Sequence, residues 1–584
     1  MKRVFAFLKP YLKECIFAPL FKLLEAGFEL AVPLVVASLI DVGIAGGDSG
    51  YVLKMCGILV ILAAVGLVAA VCAQYFASVA AVGFGAAVRE ALFGKIQSLS
   101  YRELDTLGTS AMITRMTSDV NQAQTGVNLT LRLVLRSPFV VFGAFLMAAT
   151  IDGKLSLIIG GVILLLFIVV YAIMFRTVPL FRKSQEKLDR VLGLTRENLT
   201  GARVIRAFCR EEEEKKTFDE ANNALTRAQK HVGRISALTN PLTYVLVNLG
   251  VVALIYAGAI RVNSGSLTQG QVIALYNYLS QILVELLKMA NLIVTLSRAI
   301  ASGRRISRVL ELESSLTVPQ DAEGEKSPAA PLPATPDDAP AIAMTDVSLT
   351  YAGNAAPSLS DVTFSLPRGK TLGVIGGTGA GKSSLVQLIP RFYDATEGEV
   401  SVFGIPVRDY DLQALRRRIG VVPQKALLFA GTIRENLLWG NPEATEEDLT
   451  DALRVAQALD VVGSKKLGLD EPVEAGGKNF SGGQRQRLTI ARALVGRPDI
   501  LILDDSASAL DYATDARLRR ALREELGGMT VVVVSQRISS VRHADLILVL
   551  DEGRVVGMGT DDTLRRTCAV YREICASQER GEDR

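Results

Sequence analysis

The stretch Gly376-Gly-Thr378-Gly379-Ala380-Gly381-Lys382-Ser383-Ser384 follows a short apolar run, residues 371–375, and leads into a helix-patterned segment, residues 384–388. Strand, glycine-rich turn and helix in that order form the setting a P-loop requires. The glycines let successive backbone N–H groups close on phosphate oxygens, and the positive end of the following helix adds to the pull. Lys382 is then placed to reach the β- and γ-phosphates, and Ser383 to hold Mg²⁺. ATP and Mg²⁺ are the cofactors this stretch implies.

Downstream, residues 500–504 form a hydrophobic run ending in Asp504, the Walker B arrangement, whose acid holds Mg²⁺ through water. The apolar runs 371–375, 500–503, 531–534 and 546–550 alternate with helical patterns, which predicts an α/β domain with a largely parallel core. Before them lies a Pro-rich stretch, with Pro319, Pro328, Pro331, Pro333, Pro336 and Pro340 set among Ala, Asp and Gly. That composition reads as an extended linker over residues 313–340. It divides the chain into residues 1–312 and 341–584.

The first part has a different character. Residues 55–88, 155–175, 235–260 and 262–284 carry no charge, and weaker apolar runs lie at 15–41 and 133–149. Each strong run reaches or exceeds the roughly 20 residues that cross about 30 Å of hydrocarbon. Six long transmembrane helices are expected. Connections near residues 43–50, 151–154 and 263–270 are almost free of Lys and Arg, whereas those carrying Arg89, Lys95 and Arg102, or Arg176, Arg182 and Lys183, are basic. The positive-inside rule then puts both termini and the α/β domain in the cytoplasm of a multi-pass protein of the cell membrane. The basic connections keep helical composition, so the helices should run on below the bilayer, with breaks near residues 101–108 and 200–207.

Composition agrees. Of 584 residues, 49 % are hydrophobic and 21 % charged, and the mean hydropathy is +0.30, which excludes disorder and argues against a purely soluble enzyme. Lys and Arg number 64 against 60 Asp and Glu, and aromatic residues make up 6 %, so no nucleic-acid partner is indicated. Six cysteines and two histidines show no metal-ligand spacing.

Asn479-Phe-Ser481-Gly482-Gly483-Gln484-Arg-Gln-Arg487 is the most specific element of the chain. It resembles the signature of ATP-binding cassette (ABC) proteins, and six spans fused to one cassette resemble an ABC exporter half-transporter. The resemblance implies that Ser481, Gly482, Gly483 and Gln484 open a helix toward the γ-phosphate of nucleotide held by a second cassette. It further implies that Tyr351 stacks on adenine and that Gln424, in Val421-Val-Pro-Gln424, senses Mg²⁺ and the attacking water. Ser508-Ala-Leu-Asp511 is similar to the loop that crosses between cassettes, with Asp511 near the nucleotide. The breaks near 101–108 and 200–207 match the family's coupling helices.

Two positions depart from the family pattern. Asp505 stands where the general base is normally Glu, and Gln536 where a switch His is usual. A carboxylate shorter by one methylene, and an amide that cannot carry positive charge, point to slow hydrolysis at a degenerate site. His543, seven residues on, is out of register and reads as a surface residue. The expected partner is therefore a second, non-identical half-transporter, and the cargo a small hydrophobic or amphipathic molecule of the drug, lipid or peptide class. A homodimer with weak ATPase and an ATP-gated channel or regulatory subunit are the alternatives. The intramembrane charges Glu25, Glu29, Arg132, Arg136, Glu285 and Lys288 read either as contacts between helices or as contacts to cargo.

Overall fold

The computed structural model describes residues 2–316, 338–506, 509–525 and 527–582. Most of the Pro-rich stretch, and Ser508 of the loop ending at Asp511, lie outside the described residues. Contacts divide the chain into two compact units, one of Met1–Gln97 with Ser110–Leu312, the other of Ser98–Thr109 with Glu313–Arg584.

The first unit is built of long helices. Ser49–Ser98 has 50 residues and Gly153–Thr200 has 48, two to three times what the hydrocarbon layer needs. Among the described residues five helical stretches are long and apolar enough to cross a membrane: Lys9–Ile44, Ser49–Ser98, Thr109–Ile151, Gly153–Thr200 and Glu211–Asn263. A sixth long helix, Gln269–Glu311, is present but is not one of the five. The uncharged run at 262–284 is not one span. The preceding helix ends at Asn263, Gly265 takes a left-handed φ of +73°, and Thr268 starts the new helix by accepting from the Gln271 N–H. Freedom from charge does not distinguish a Ser/Gly turn from a span, and here the turn chemistry prevails.

The helix ends are tied side chain to side chain. Asp152 accepts from the N–H groups of Lys154 and Leu155 at 2.8 and 2.9 Å and also binds Arg261 at 2.8 Å. Asp41 accepts from the Gly270 N–H at 2.8 Å and from the Thr268 hydroxyl at 2.5 Å. Small residues let the backbones approach. Ala69, Ala73, Ala77 and Ala81 form a buried stripe on Ser49–Ser98, the spacing that favours close helix contact in lipid. At Gly83 a methyl group would fall 2.2 Å from the Tyr11 ring.

Arg136 is the charged centre of this unit, only 6 % exposed. It donates to Glu285 of the sixth helix and, at 2.6 Å, to Glu29 of the first. Ser137 and Lys288 also donate to Glu285, at 3.0 and 2.8 Å. Three helices are thus joined by one ionic cluster, with Tyr278 adding a bond to the Leu30 carbonyl at 2.8 Å. Lys22 pairs with Glu25 at 2.5 Å, and Arg132 reaches Asn128 on its own helix, so neither pair member is tied to Arg136 by a hydrogen bond.

In the second unit a six-stranded sheet runs in the order Arg554–Gly559, Leu546–Asp551, Thr371–Gly376, Thr530–Val534, Ile500–Asp504, Ile419–Val422. All neighbours are parallel except the first pair. The four strands read from the sequence are its centre. Their carboxyl ends, where ligands gather in such sheets, carry the P-loop and Asp504. An antiparallel sheet of Leu359–Leu366, Ile342–Leu349, Glu397–Val402 and Ile405–Pro406 completes the unit. The break near 101–108 is a short helix, Tyr101–Leu107, capped by Ser100 and Glu103, and it groups with this unit. The break near 200–207 is the helix Ala202–Ala207, which groups with the first.

Candidate functional site

The P-loop spans from the end of Thr371–Gly376 to the helix Lys382–Leu388. Two of its glycines are left-handed, Gly379 at φ +83° and Gly381 at +92°, and at Gly381 a methyl group would meet the Ser358 carbonyl at 2.6 Å. The loop borders a cavity of about 640 Å³. Thr378, Gly379, Ala380, Gly381, Lys382, Ser383 and Ser384 line it, together with Gln424, Asp504, Asp505 and Gln536. Four elements read separately from the sequence meet in one place.

Lys382 donates to the carbonyls of Gly376 and Gly377 at 2.9 and 2.6 Å. Burial holds its ammonium below the usual lysine range, against the opposing pull of Asp505 and Asp504. The same burial pushes the Asp504 carboxyl up, partly relieved by the Ser383 hydroxyl at 3.0 Å. A buried cation and a buried acid of opposite shift, side by side at the glycine-rich loop, suit a ligand that brings phosphate and a divalent ion together. Among the described residues no group of three or more His, Cys, Asp or Glu could hold a metal unaided. That fits Mg²⁺, which is held by one or two protein oxygens plus phosphate oxygens; Ser383 and Asp504 would supply the protein oxygens.

Asp505 sits at φ +45°, its N–H bound to the Val534 carbonyl at 3.0 Å. Its carboxylate accepts from Gln424 Nε2 at 3.3 Å. The exposed Gln536 side chain faces the same cavity, and its backbone is held from behind: Gln578 donates to the Gln536 carbonyl at 2.7 Å and accepts from the Ile538 N–H at 2.9 Å. Gln578 was not singled out by the sequence, since a lone Gln in a terminal helix has no motif. Gln578→Ala should speed hydrogen exchange of the Ile538 amide by about fivefold, as one hydrogen bond is worth about 1 kcal/mol. His543 is exposed and lies outside the cavity lining.

Three expected groups lie outside that lining, two of them, at Ser481 and Asp511, in segments expected to serve a second cassette. Tyr351 does not line the cavity; its hydroxyl bonds Ser384 Oγ at 3.0 Å and Gln387 at 3.2 Å. Ser481 caps the helix Gly482–Val495, accepting from the Gln484 N–H at 3.3 Å while Gln484 Oε1 accepts the Ser481 N–H at 3.0 Å. Gly482 remains exposed in front of that cap. Asp511 caps its own helix, accepting from the Thr514 N–H at 2.8 Å and hydroxyl at 2.9 Å, which holds its carboxyl below the usual range. Asn354, Pro357 and Glu552 line the cavity without having been foreseen, brought there by the contact of Gly553 with Ser358.

Comparison with known proteins bears on both units. Residues 15–286 match the family model of the ABC transporter transmembrane region, and residues 359–508 that of the ABC transporter. An ABC transporter ATP-binding protein of Mycobacterium tuberculosis is 37 % identical over 576 residues, covering 98 % of this chain and 97 % of its own. A fatty acid ABC transporter ATP-binding/permease protein of the same species is 31 % identical over 480 residues, covering 82 % and 74 %. A solved bacterial Atm1-family ABC exporter with ATP bound shares the fold at a TM-score of 0.77 and 23 % identity, over 97 % of this chain and 98 % of that one.

Proposed function

The chain belongs to the ABC transporter family, and from that premise we propose that it is one subunit of a heterodimeric exporter whose own Walker site binds Mg-ATP and hydrolyses it slowly. Residues 1–312 form the membrane half, 313–340 the linker and 341–584 the cassette, with both termini and the cassette cytoplasmic at the cell membrane. The observation that carries this reading is the pair Asp505 and Gln536 in one cavity with an intact P-loop. Asp505 is short by a methylene, and the pinned backbone N–H leaves little room to slide it forward. Gln424, the residue expected to orient the water, is engaged with that same carboxylate.

Each remaining residue serves binding. Bound Mg-ATP supplies the phosphoanhydride bond and the charge that draws two cassettes together. Lys382 neutralises phosphate, Ser383 and Asp504 orient the ion, and Tyr351 takes the adenine. Gln536 can hydrogen-bond a phosphoryl oxygen but adds no positive charge. The capped start of the helix Gly482–Val495 offers N–H groups to a γ-phosphate on the partner cassette. Opening and closing of the cassette pair then biases the membrane helices between two states. The cargo is hydrophobic or amphipathic, of the drug, lipid or peptide class; relatives named for multidrug export and for fatty acid transport support the first two alike. The charges around Arg136 are spent on one another, which supports a structural role for them.

Purified alone, the chain should show little Mg-ATPase, and with its partner a rate insensitive to Asp505→Asn but abolished by Gln in place of the partner's catalytic Glu. Vanadate-trapped ADP should lie on the partner's P-loop. Robust turnover by the chain alone, or trapped ADP chiefly beside Lys382, would overturn the proposal.

A further inference from the structure

The ring of Tyr351 is not free-standing. Tyr393 meets it edge-on, with centroids 5.1 Å apart and planes at 88°, the geometry aromatic rings favour. Tyr393 is in turn held on its other side by the short helix Tyr101–Leu107: its hydroxyl donates to Asp105, and the Tyr101 ring lies tilted against the neighbouring Phe392, centroids 4.7 Å apart, and 6.1 Å from Tyr393 itself. The segment that presents these rings is rigid. Arg391, at a left-handed φ of +51° and 1 % exposed, binds Asp394 through two nitrogens at 2.8 and 3.2 Å. Arg416 donates to the carbonyls of Pro390 and Arg391 and lies 5.3 Å over the Phe392 ring. Tyr351 ends on Ser384, next to Ser383, whose hydroxyl holds Asp504. All these residues belong to one compact unit.

We propose that Tyr393 is a positioning residue for the nucleotide base: clamped by Asp105, it sets the ring of Tyr351, so that affinity for the base depends on the helix that ends the second membrane rod. This rests on the reading of Tyr351 as the adenine platform. Tyr393 itself lies outside the lining of the phosphate cavity. Its hydroxyl is kept protonated by burial and by the Asp105 carboxylate, which raise it well above the usual tyrosine range, so it remains a donor at any working pH. Loss of Asp105 frees Tyr393 to swing, and Tyr351 loses its backing.

The test is a thermodynamic cycle on the full-length chain, with equilibrium binding of ATP measured against inorganic tripolyphosphate as a probe without a base. Asp105→Ala, Asp105→Asn and Tyr393→Phe should each weaken ATP binding by about three- to tenfold, the span one aromatic contact is worth, and leave tripolyphosphate unchanged. In a Tyr351→Ala background, Asp105→Ala should have no further effect. Equal loss for both probes would mean general damage to the fold and overturn the inference. So would unchanged ATP affinity, or an Asp105→Ala effect that persists in full without Tyr351. If Tyr351→Ala alone leaves ATP affinity intact, the platform assignment falls and the inference with it; slow hydrolysis at Asp505 is judged separately, by the ATPase assays.

Discussion

Asp505→Glu combined with Gln536→His should raise the Mg-ATPase rate of this chain by on the order of 10²-fold. The missing methylene draws the carboxylate back by about 1.5 Å, and displacements of about 1 Å in a reacting group can cost on the order of 10²-fold. Asp505 cannot recover that distance through its backbone, because its N–H is fixed on the Val534 carbonyl at 3.0 Å and its φ of +45° sets the direction of its side chain. Glu at this position carries its oxygens forward into the cavity and off Gln424, which is then released to orient water. His at 536 restores a donor able to carry charge beside the phosphoryl group. Each single change should give only part of the gain, since the two groups act on the same transition state. Lys382→Ala in the double variant should erase it, and steady-state phosphate release measures all four proteins. A double variant no faster than the parent would show that hydrolysis here is limited by something other than the base and the switch residue.

Glu285→Ala should destabilise the chain by about 3–5 kcal/mol, the cost of leaving a buried charge without its partner. Arg136 is 6 % exposed and spans from Glu29 to Glu285; without Glu285 it keeps only the half-exposed Glu29. Lys288 and Ser137 lose their shared acceptor as well. Replacing the pair together, Arg136→Met with Glu285→Leu, should recover most of the loss, because a packed apolar pair of similar volume avoids burying charge at all. Thermal unfolding of the purified chain in detergent gives the comparison. If Glu285→Ala is neutral in stability yet abolishes cargo-stimulated ATPase, the cluster serves cargo rather than helix packing.

What could be read in the sequence was local. Gly376 to Ser384 announces a phosphate cradle because strand, turn and helix are contiguous, and Asp504 follows from the apolar run that ends in it. Departures such as Asp505 and Gln536 were visible for the same reason, each standing at a fixed offset from a motif. What escaped was set by distance along the chain. Arg136 and Glu285 are 149 positions apart, and nothing in either helix selects Glu285 over Glu25 as the partner. Tyr393 and Gln578 carry no motif; their roles come from where the fold places a ring edge and an amide. The start of the sixth helix was misplaced because charge-counting ranks Ser264-Gly265-Ser266 with the apolar residues around it, while the backbone treats them as a turn. Tyr351 came from the family resemblance, but its bonds to Ser384 and Gln387 depend on the helix rotation, which no motif gives.

The 50-residue helix Ser49–Ser98 has no proline, and Gly83 meets the Tyr11 ring where a methyl group would fall 2.2 Å away. An unbroken rod of about 75 Å pressed against a tight fulcrum behaves as a lever. Tipping it by about 5° about Gly83 carries its far and near tips sideways by roughly 4 Å and 2 Å, within the range of known subunit rotations. Enlarging Gly83 would move the fulcrum itself, altering the throw at both tips while leaving every group that touches nucleotide in place.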